Sequence, residues 1–286
     1  MALKLKPLTQ HVYCLSDPMD RKKPLLVCIA GDDQLLMIDG GTSIEHMETM
    51  LTEIEQNETL NALSKLGVVS DCHWNHVFGL QACHFPYIAH KQAKDTLEKM
   101  AAWNWSDEML ERYTKEEKLL PSEVKEIKRE MPDRSELHIQ VPCIMYRHQL
   151  ELDLGNLSCL LEHIESDHSP DSTVVYLKED KVLIVGDCMN FGMHYTTPCY
   201  SRQLFHVIDM LLAYDAEYFV FSTDSKVLNR NEFIEYCEYL KLLGATVSQH
   251  YDDFEAIENE LGSIKKEDIK YIHAFIEGLK RGKGIL

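Results

Sequence analysis

Short apolar runs closed by turn residues open the chain. "PLLVCIAGDDQLLMIDGG" holds two of them around Gly31-Asp32-Asp33, the pattern of a β-hairpin, and the second ends at Asp39-Gly40-Gly41. The rhythm then changes. In "TSIEHMETMLTEIEQN" the apolar positions Ile44, Met47, Met50, Leu51 and Ile54 follow a Thr/Ser cap at helical spacing. Gly67 precedes a short strand, "VVS", and a polar loop begins at Asp71. Residues 90–131 are rich in Lys, Glu, Met and Leu, broken at Pro121, and predict two or three helices. Strand patterns return in "HQLELDLGNLSCLLEHI", a hairpin about Gly155-Asn156, and in "STVVYLKEDKVLIVGD", turning at Glu179-Asp180. A helix capped by Ser201, a strand "EYFVF" running into "STDS", and three further helices complete the chain.

Hairpins followed by helices thus occur twice, which predicts two similar halves, each a sheet with a helical cover. No repeat and no Gly/Ser/Pro-rich linker separates them. One domain over residues 1–286 is expected, with a helical insert at about 90–131 and C-terminal helices from about 228–286.

Composition narrows the function. With 29 Lys and Arg against 47 Asp and Glu, the net charge is −18, which disfavours nucleic acid and favours a small-molecule substrate or metal ions. No apolar run approaches the ~20 residues of a membrane span. The beginning, "MALKLKPLTQHVY", lacks an apolar stretch of signal-peptide length, and nine cysteines without a C-x-x-C pair suit reduced, buried thiols. A cytoplasmic location without membrane attachment is the expectation.

Candidate chemistry sits in "VVSDCHWNHVFGL", where Asp71, His73, Asn75 and His76 lie within six residues after a strand. Asp71 and His73 are two apart, so an extended segment points them the same way. Three later strand termini offer more ligands: His168 in "IESDHSPDS", Asp187 in "VLIVGDCMN" and Asp224 in "FVFSTDSKV". A satisfied loop histidine is the plain alternative for His73 and His76 taken alone, and a turn or cap role for Asp224. Cys188 reads as a buried thiol, His163 as structural, and His194 as a candidate substrate-facing group. Met100, Trp103 and Trp105 form an apolar cluster that is either core or a lid.

Taken together, these motifs resemble the metallo-β-lactamase-fold hydrolases, whose hallmark is a T-H-x-H-x-D-H-x-G-G loop followed by a single His, a Gly-Asp pair and a final His. Residues 70–79 match in register, "DHSPDS" is similar to the family's "GHTPGS", Gly186-Asp187 to the metal-bridging pair, and Asp39 in "LLMIDGG" to an early Asp-Gly turn that braces the metal loop. The resemblance spans about residues 10 to 226 and implies an α/β (α+β) fold, a four-layer αββα sandwich with a metal site at one edge of the two sheets.

Three ligand positions depart from the pattern. Asp71 stands where the family has its first loop histidine, Asn75 where it has the loop aspartate, and Asp224 where it has the last histidine. The resemblance implies one or two divalent ions, with Asp71, His73, His168 and Asp187 on a first, and Asn75, His76, Asp187 and Asp224 on a second, weaker one. More oxygen and less imidazole moves preference from zinc toward manganese, iron or magnesium. The implied activity is hydrolysis of a small ester, thioester, lactone or phosphoester by metal-held hydroxide, with Asp187 anchoring the metal. Asn75 cannot replace the loop aspartate as a base, so Asp224 or Asp71 would substitute. The alternative is a ligand-binding or sensing protein on the same fold with an eroded site, in which residues 90–131 serve a homodimer interface instead of a lid.

Overall fold

Period-two burial in the strands sorts the apolar residues into three cores. A computed structural model describes residues 3–16, 20, 23–194, 196–223 and 226–282 (for His194, the backbone alone). The first half runs β1 (Leu5–Pro7), β2 (Val12–Leu15), β3 (Leu26–Ala30), β4 (Gln34–Ile38), α1 (Ile44–Glu55), α2 (Glu58–Ala62), β5 (Ser64–Val69), α3 (Trp74–Val77) and β6 (Tyr87–His90). The insert follows as α4 (Lys91–Met100), α5 (Asp107–Lys115) and α6 (Pro121–Glu130), and β7 (Ile144–Tyr146) closes the half. The second half runs β8 (Gln149–Asp153), β9 (Ser158–His163), β10 (Thr173–Leu177), β11 (Val182–Gly186), β12 (Gly192–His194), β13 (Thr197–Cys199), α7 (Gln203–Leu212), β14 (Tyr218–Phe221) and β15 (Val227–Asn229). Helices α8 (Arg230–His250), α9 (Phe254–Leu261) and α10 (Ile269–Lys280) end it.

The first sheet has the order β1-β2-β3-β4-β5-β6-β7 and the second β15-β14-β11-β10-β9-β8. Val27, Ile29, Leu36 and Ile38 of the first face Leu161, Val175, Leu177 and Ile184 of the second, forming the core between the sheets. The alternate residues Leu26, Cys28, Leu35 and Met37 point outward onto Met47, Met50 and Ile54 of α1 and onto Leu97, Leu110 and Ile127 of the insert. On the other side Leu183, Val185 and Phe219 meet Val207 and Leu211 of α7, Phe233 and Leu240 of α8 and Phe275 of α10. Two sheets between two helical layers give the expected αββα sandwich.

The predicted hairpins form at Gly31–Asp33, Gly155-Asn156 and Glu179-Asp180 as antiparallel pairs. Helix α1 starts on Ser43, whose Oγ accepts the His46 amide, and Ser201 Oγ accepts the Gln203 amide at the start of α7. The insert contains three helices, with Pro121 as the first residue of α6 instead of a break within one. All nine cysteines are free thiols. No helix among the described residues is long and apolar enough to cross a membrane.

This topology brings the strand ends together. β4 and β5 are parallel, as are β11 and β14, so the turns after them lie at one edge. The Thr173 amide at the start of β10 donates to the Ser70 carbonyl after β5 at 2.7 Å, joining the two sheets there. A 3-10 turn at Phe78–Ala82 presses on the Asp39-Gly40-Gly41 turn, and a Cβ on Gly79 would lie 2.0 Å from the Gly40 carbonyl oxygen. Gly79→Ala is therefore expected to lose roughly 1–3 kcal/mol to forced overpacking. A melting curve indistinguishable from wild type would show that the two turns do not touch as described.

Candidate metal centre

Asp39 holds the loop from below. It sits in the left-handed region at φ 63°, and its buried carboxylate accepts the Ser70 amide and hydroxyl, each at 2.6 Å. The same carboxylate accepts a hydrogen bond from His76 Nδ1 at 2.7 Å, which leaves His76 Nε2 as the ring atom facing inward. That atom lies 3.2 Å from Asp187 Oδ2 and 3.6 Å from Asp71 Oδ2.

Each of the other inward groups is anchored in the same manner. Asp71 Oδ1 accepts the His73 amide and faces His73 Nδ1, both at 2.9 Å, so Oδ2 is free to point inward. His168 Nδ1 donates to the Phe191 carbonyl at 3.2 Å, and its Nε2 faces Asp71 Oδ2 at 3.6 Å and Asp187 Oδ2 at 3.9 Å. Asp187 Oδ1 accepts the Thr223 amide at 3.1 Å and the Thr223 hydroxyl at 2.6 Å. Asn190 donates in turn to the Thr223 hydroxyl at 2.9 Å. Four polar atoms, two nitrogen and two oxygen, therefore converge with their outer partners fixed by the protein.

The residues fit a divalent cation. Asp71 Oδ2 and His168 Nε2 are buried without a hydrogen-bond partner, an arrangement that is costly unless something positive joins them. Two overlapping triplets, Asp71–His73–His168 and Asp71–His76–Asp187, have ligand atoms within 4.8 Å of one another.

Burial opposes ionisation of Asp71, yet the charges of His76, His73 and His168 outweigh it and hold its carboxyl well below the usual range. Burial likewise opposes a charged Asp187, but the hydrogen bond and charge of His76 prevail and lower it. For His76, burial works against the cation, while Asp71 and Asp39 dominate and raise it well above the ordinary value. His73 shows the same contest, and Asp71 pushes it up to about 9. Burial and the charge of His73 keep His168 low, suited to a neutral ligand.

The metal-free centre is thus compensated by protons that a metal must displace. Metal uptake at pH 7 is expected to release about one proton from His76, so apparent affinity rises about tenfold per pH unit in that range. Calorimetry in two buffers of different ionisation heat measures it, and zero proton release would reject the protonated His76. The sign for metal-free stability follows from His73. Its native pKa of about 9 exceeds the unfolded value, so its contribution is complete below about pH 6.5 and fades as pH rises through 9.

A cleft of about 950 Å³ opens onto the centre, lined by His168 and Asp187, with Asp71 and His76 buried behind them. Asn75 lines this cleft, and so does half-buried His73. Met100 and Trp103 of the insert line it as well, whereas Trp105 is buried against Phe78 at 4.8 Å between ring centres, so the aromatic cluster divides between lid and core. Cys188 is buried, and His163 stacks on His90 at 3.7 Å, away from the ligands. Asp224 lies outside the described residues, as does the side chain of His194, whose backbone ends β12. Sequence reading passed over Thr223, Asn190 and the Phe191 carbonyl. It also passed over buried Asp171, whose carboxyl is raised by burial and by the charge of Asp71.

The sequence matches no family model and no curated protein. Solved structures do resemble the fold. A metallo-beta-lactamase from Pontibacter korlensis is 14% identical with a TM-score of 0.58, covering 82% of this chain and 97% of that one. A metallo-beta-lactamase family protein from Thermus thermophilus is 12% identical with a TM-score of 0.59, covering 96% and 95%. A double mutant of the sec-alkyl sulfatase PisA1 is 12% identical with a TM-score of 0.64, covering 98% of this chain but 50% of that one.

Proposed function

On the premise that this chain has the metallo-β-lactamase fold, we propose that it is a metal-dependent hydrolase of a small ester, thioester, lactone or phosphoester. The observation that carries this reading is the convergence of Asp71 Oδ2, His76 Nε2, His168 Nε2 and Asp187 Oδ2 at an open cleft that His168 and Asp187 line.

Those four residues would hold a zinc, manganese or iron ion. When bound, it would supply Lewis-acid charge and lower the pKa of water. The chain's own residues do the rest. Met100, Trp103, Leu119 and Leu120 offer an apolar wall for a substrate's acyl or alkyl arm and exclude water there. Lys118 places one cation on that wall among Glu117 and Glu123. Asn75 is neutral and cannot take a proton, but its amide can donate to a substrate oxygen. Asp187 Oδ1 accepts from Thr223, which fixes the carboxylate with Oδ2 turned toward the ion.

The test is a panel of p-nitrophenyl acetate, a thioester, a lactone and bis(p-nitrophenyl) phosphate with Mn(II), Fe(II) or Zn(II). Product release that stops on chelation and in His168→Ala is expected. No turnover of any class with any of the three metals would overturn the reading. Thermal stabilisation by a small ligand would then favour a binding or sensing protein.

A further inference from the structure

We propose that the stacked imidazoles of His90 and His163 form a pH-sensitive clasp, which ties the start of α4 to the second sheet in neutral solution and releases it in mild acid. The clasp lies outside the metal centre, and it stands whether or not the cleft hydrolyses any substrate.

His90 ends β6 of the first sheet and caps α4, and His163 ends β9 of the second. Their rings lie 3.7 Å apart at an angle of 10°, so the stack passes from one sheet to the other. Hydrogen bonds fix the neutral form of His90. Its Nε2 meets the Arg147 carbonyl at 3.0 Å, and a carbonyl only accepts, so Nε2 carries the proton. Nδ1 is then the bare nitrogen, and it accepts the Gln92 amide at 3.4 Å. His163 Nε2 donates in the same way to the Pro170 carbonyl at 2.8 Å. The pair thereby joins two walls of the cleft: α4 contributes Thr96 and Met100 to it, and Pro170 belongs to the loop that carries His168.

A proton on His90 Nδ1 breaks this arrangement. It turns an acceptor into a donor aimed at the Gln92 amide, which removes the cap of α4. It also sets a positive charge at the N-terminus of a helix whose first turn has no acidic residue, where the helix dipole opposes it. The surroundings offer no relief. Tyr146 of β7 presents its ring at 5.7 Å and donates its hydroxyl to Thr173, while Arg147 and His148 bring positive charge from the turn after β7. Nearby carboxylates are engaged elsewhere, Asp95 by Lys91, Glu162 by the Tyr214 hydroxyl and Asp171 by the Ser169 hydroxyl. Burial is the largest force against a cation on His90. The charges of His163, His148 and Arg147 add to it, against the Arg147 carbonyl, and push its pKa down to about 4. Released from the clasp, the ring returns toward its ordinary 6.5, so the closed state is fully favoured above about pH 6.5 and loses ground as pH falls toward 4. Between pH 7 and pH 5 the opening equilibrium rises about 20-fold.

Amide hydrogen exchange on the full chain tests this at pH 7 and pH 5, with rates corrected for the intrinsic effect of pH. Protection of α4 should fall about 20-fold at the lower pH, while that of α8, which does not touch the clasp, stays level. His90→Asn keeps an oxygen that can accept the Gln92 amide but has no proton to gain, so its α4 should exchange alike at both pH values. Imidazole 15N spectra of wild type, with the His90 ring correlated to its own backbone amide, should show a proton on Nε2 and none on Nδ1 down to pH 5. Three results would each overturn the proposal: equal corrected exchange of wild-type α4 at the two pH values, a His90 ring that titrates near 6.5, or His90→Asn with the pH dependence of wild type. Neither readout depends on hydrolysis or on a bound metal, so failure of the proposed activity leaves the clasp standing, and failure of the clasp leaves the activity standing.

Discussion

Asp187→Ala is expected to fold normally, bind no divalent cation and show no hydrolysis above background. Folding should survive because the metal-free site does not depend on this carboxylate for charge balance: His76 keeps Asp39 at 2.7 Å and Asp71 at 3.6 Å. Removing Asp187 also removes one of the carboxylates crowded around Asp71, whose charge opposes its ionisation. What is lost is one of the two inward-facing oxygens and the tie through Thr223 that links the end of β14 to the centre. Removing an outer partner of a metal ligand usually costs about 10–100-fold in affinity, and removing the ligand itself should cost more. Metal content of purified wild type and variant checks this. Equal content in both would take Asp187 out of the centre, whatever happened to activity.

Several features that position this centre were legible in the sequence, for identifiable physical reasons. The hairpins about Gly31–Asp33 and Gly155-Asn156 stood out because a turn residue separates two apolar runs, and those pairs formed as read. His73, His76, His168 and Asp187 stood out because each follows or precedes a strand, and the parallel pairs β4/β5 and β11/β14 carry such termini to one edge. The short strands β1, β6 and β7 were not legible. Three or four residues contain too few alternations to define a period, and their pairing depends on neighbours distant in the chain. Nor could the anchors be read. The Phe191 group that fixes His168 is a backbone carbonyl, which every residue has. Thr223 was hidden beside Asp224 in "STDS", where an acidic residue drew the reading.

The charge pattern explains why anchors matter so much here. Three buried aspartates, Asp39, Asp71 and Asp187, surround His76, which is fully buried between them. An imidazole that meets carboxylates through both nitrogens has its orientation fixed, and its protonation is tied to theirs. Of the three, Asp39 also holds the Ser70 amide and hydroxyl, so its carboxylate ties the centre to the local fold.

Asp39→Ala is expected to have the largest effect on stability of any substitution at this edge. Asp39 accepts the Ser70 amide, the Ser70 hydroxyl and His76 Nδ1, and its own amide is bonded to the Val68 carbonyl in the strand register. Deleting the carboxylate strands three buried donors at once, each worth about 1–3 kcal/mol unmade, with some recovered by relaxation. A net loss of about 3–5 kcal/mol follows, comparable to breaking a buried ion pair, and it lowers the melting temperature of a chain this size by about 5–10 °C. Asp39→Asn separates the contributions. Its amide oxygen can still accept from Ser70, but the charge that holds His76 protonated is gone, so the stability loss should be smaller while metal binding still weakens. The Asp residue also occupies a positive-φ position, which Asn tolerates better than Ala does, adding to the difference between the two variants. Melting curves with and without Mn(II) decide it: a melting temperature of Asp39→Ala within about 2 °C of wild type, a shift of only about 1 kcal/mol, would mean that Ser70 and His76 do not rely on this carboxylate.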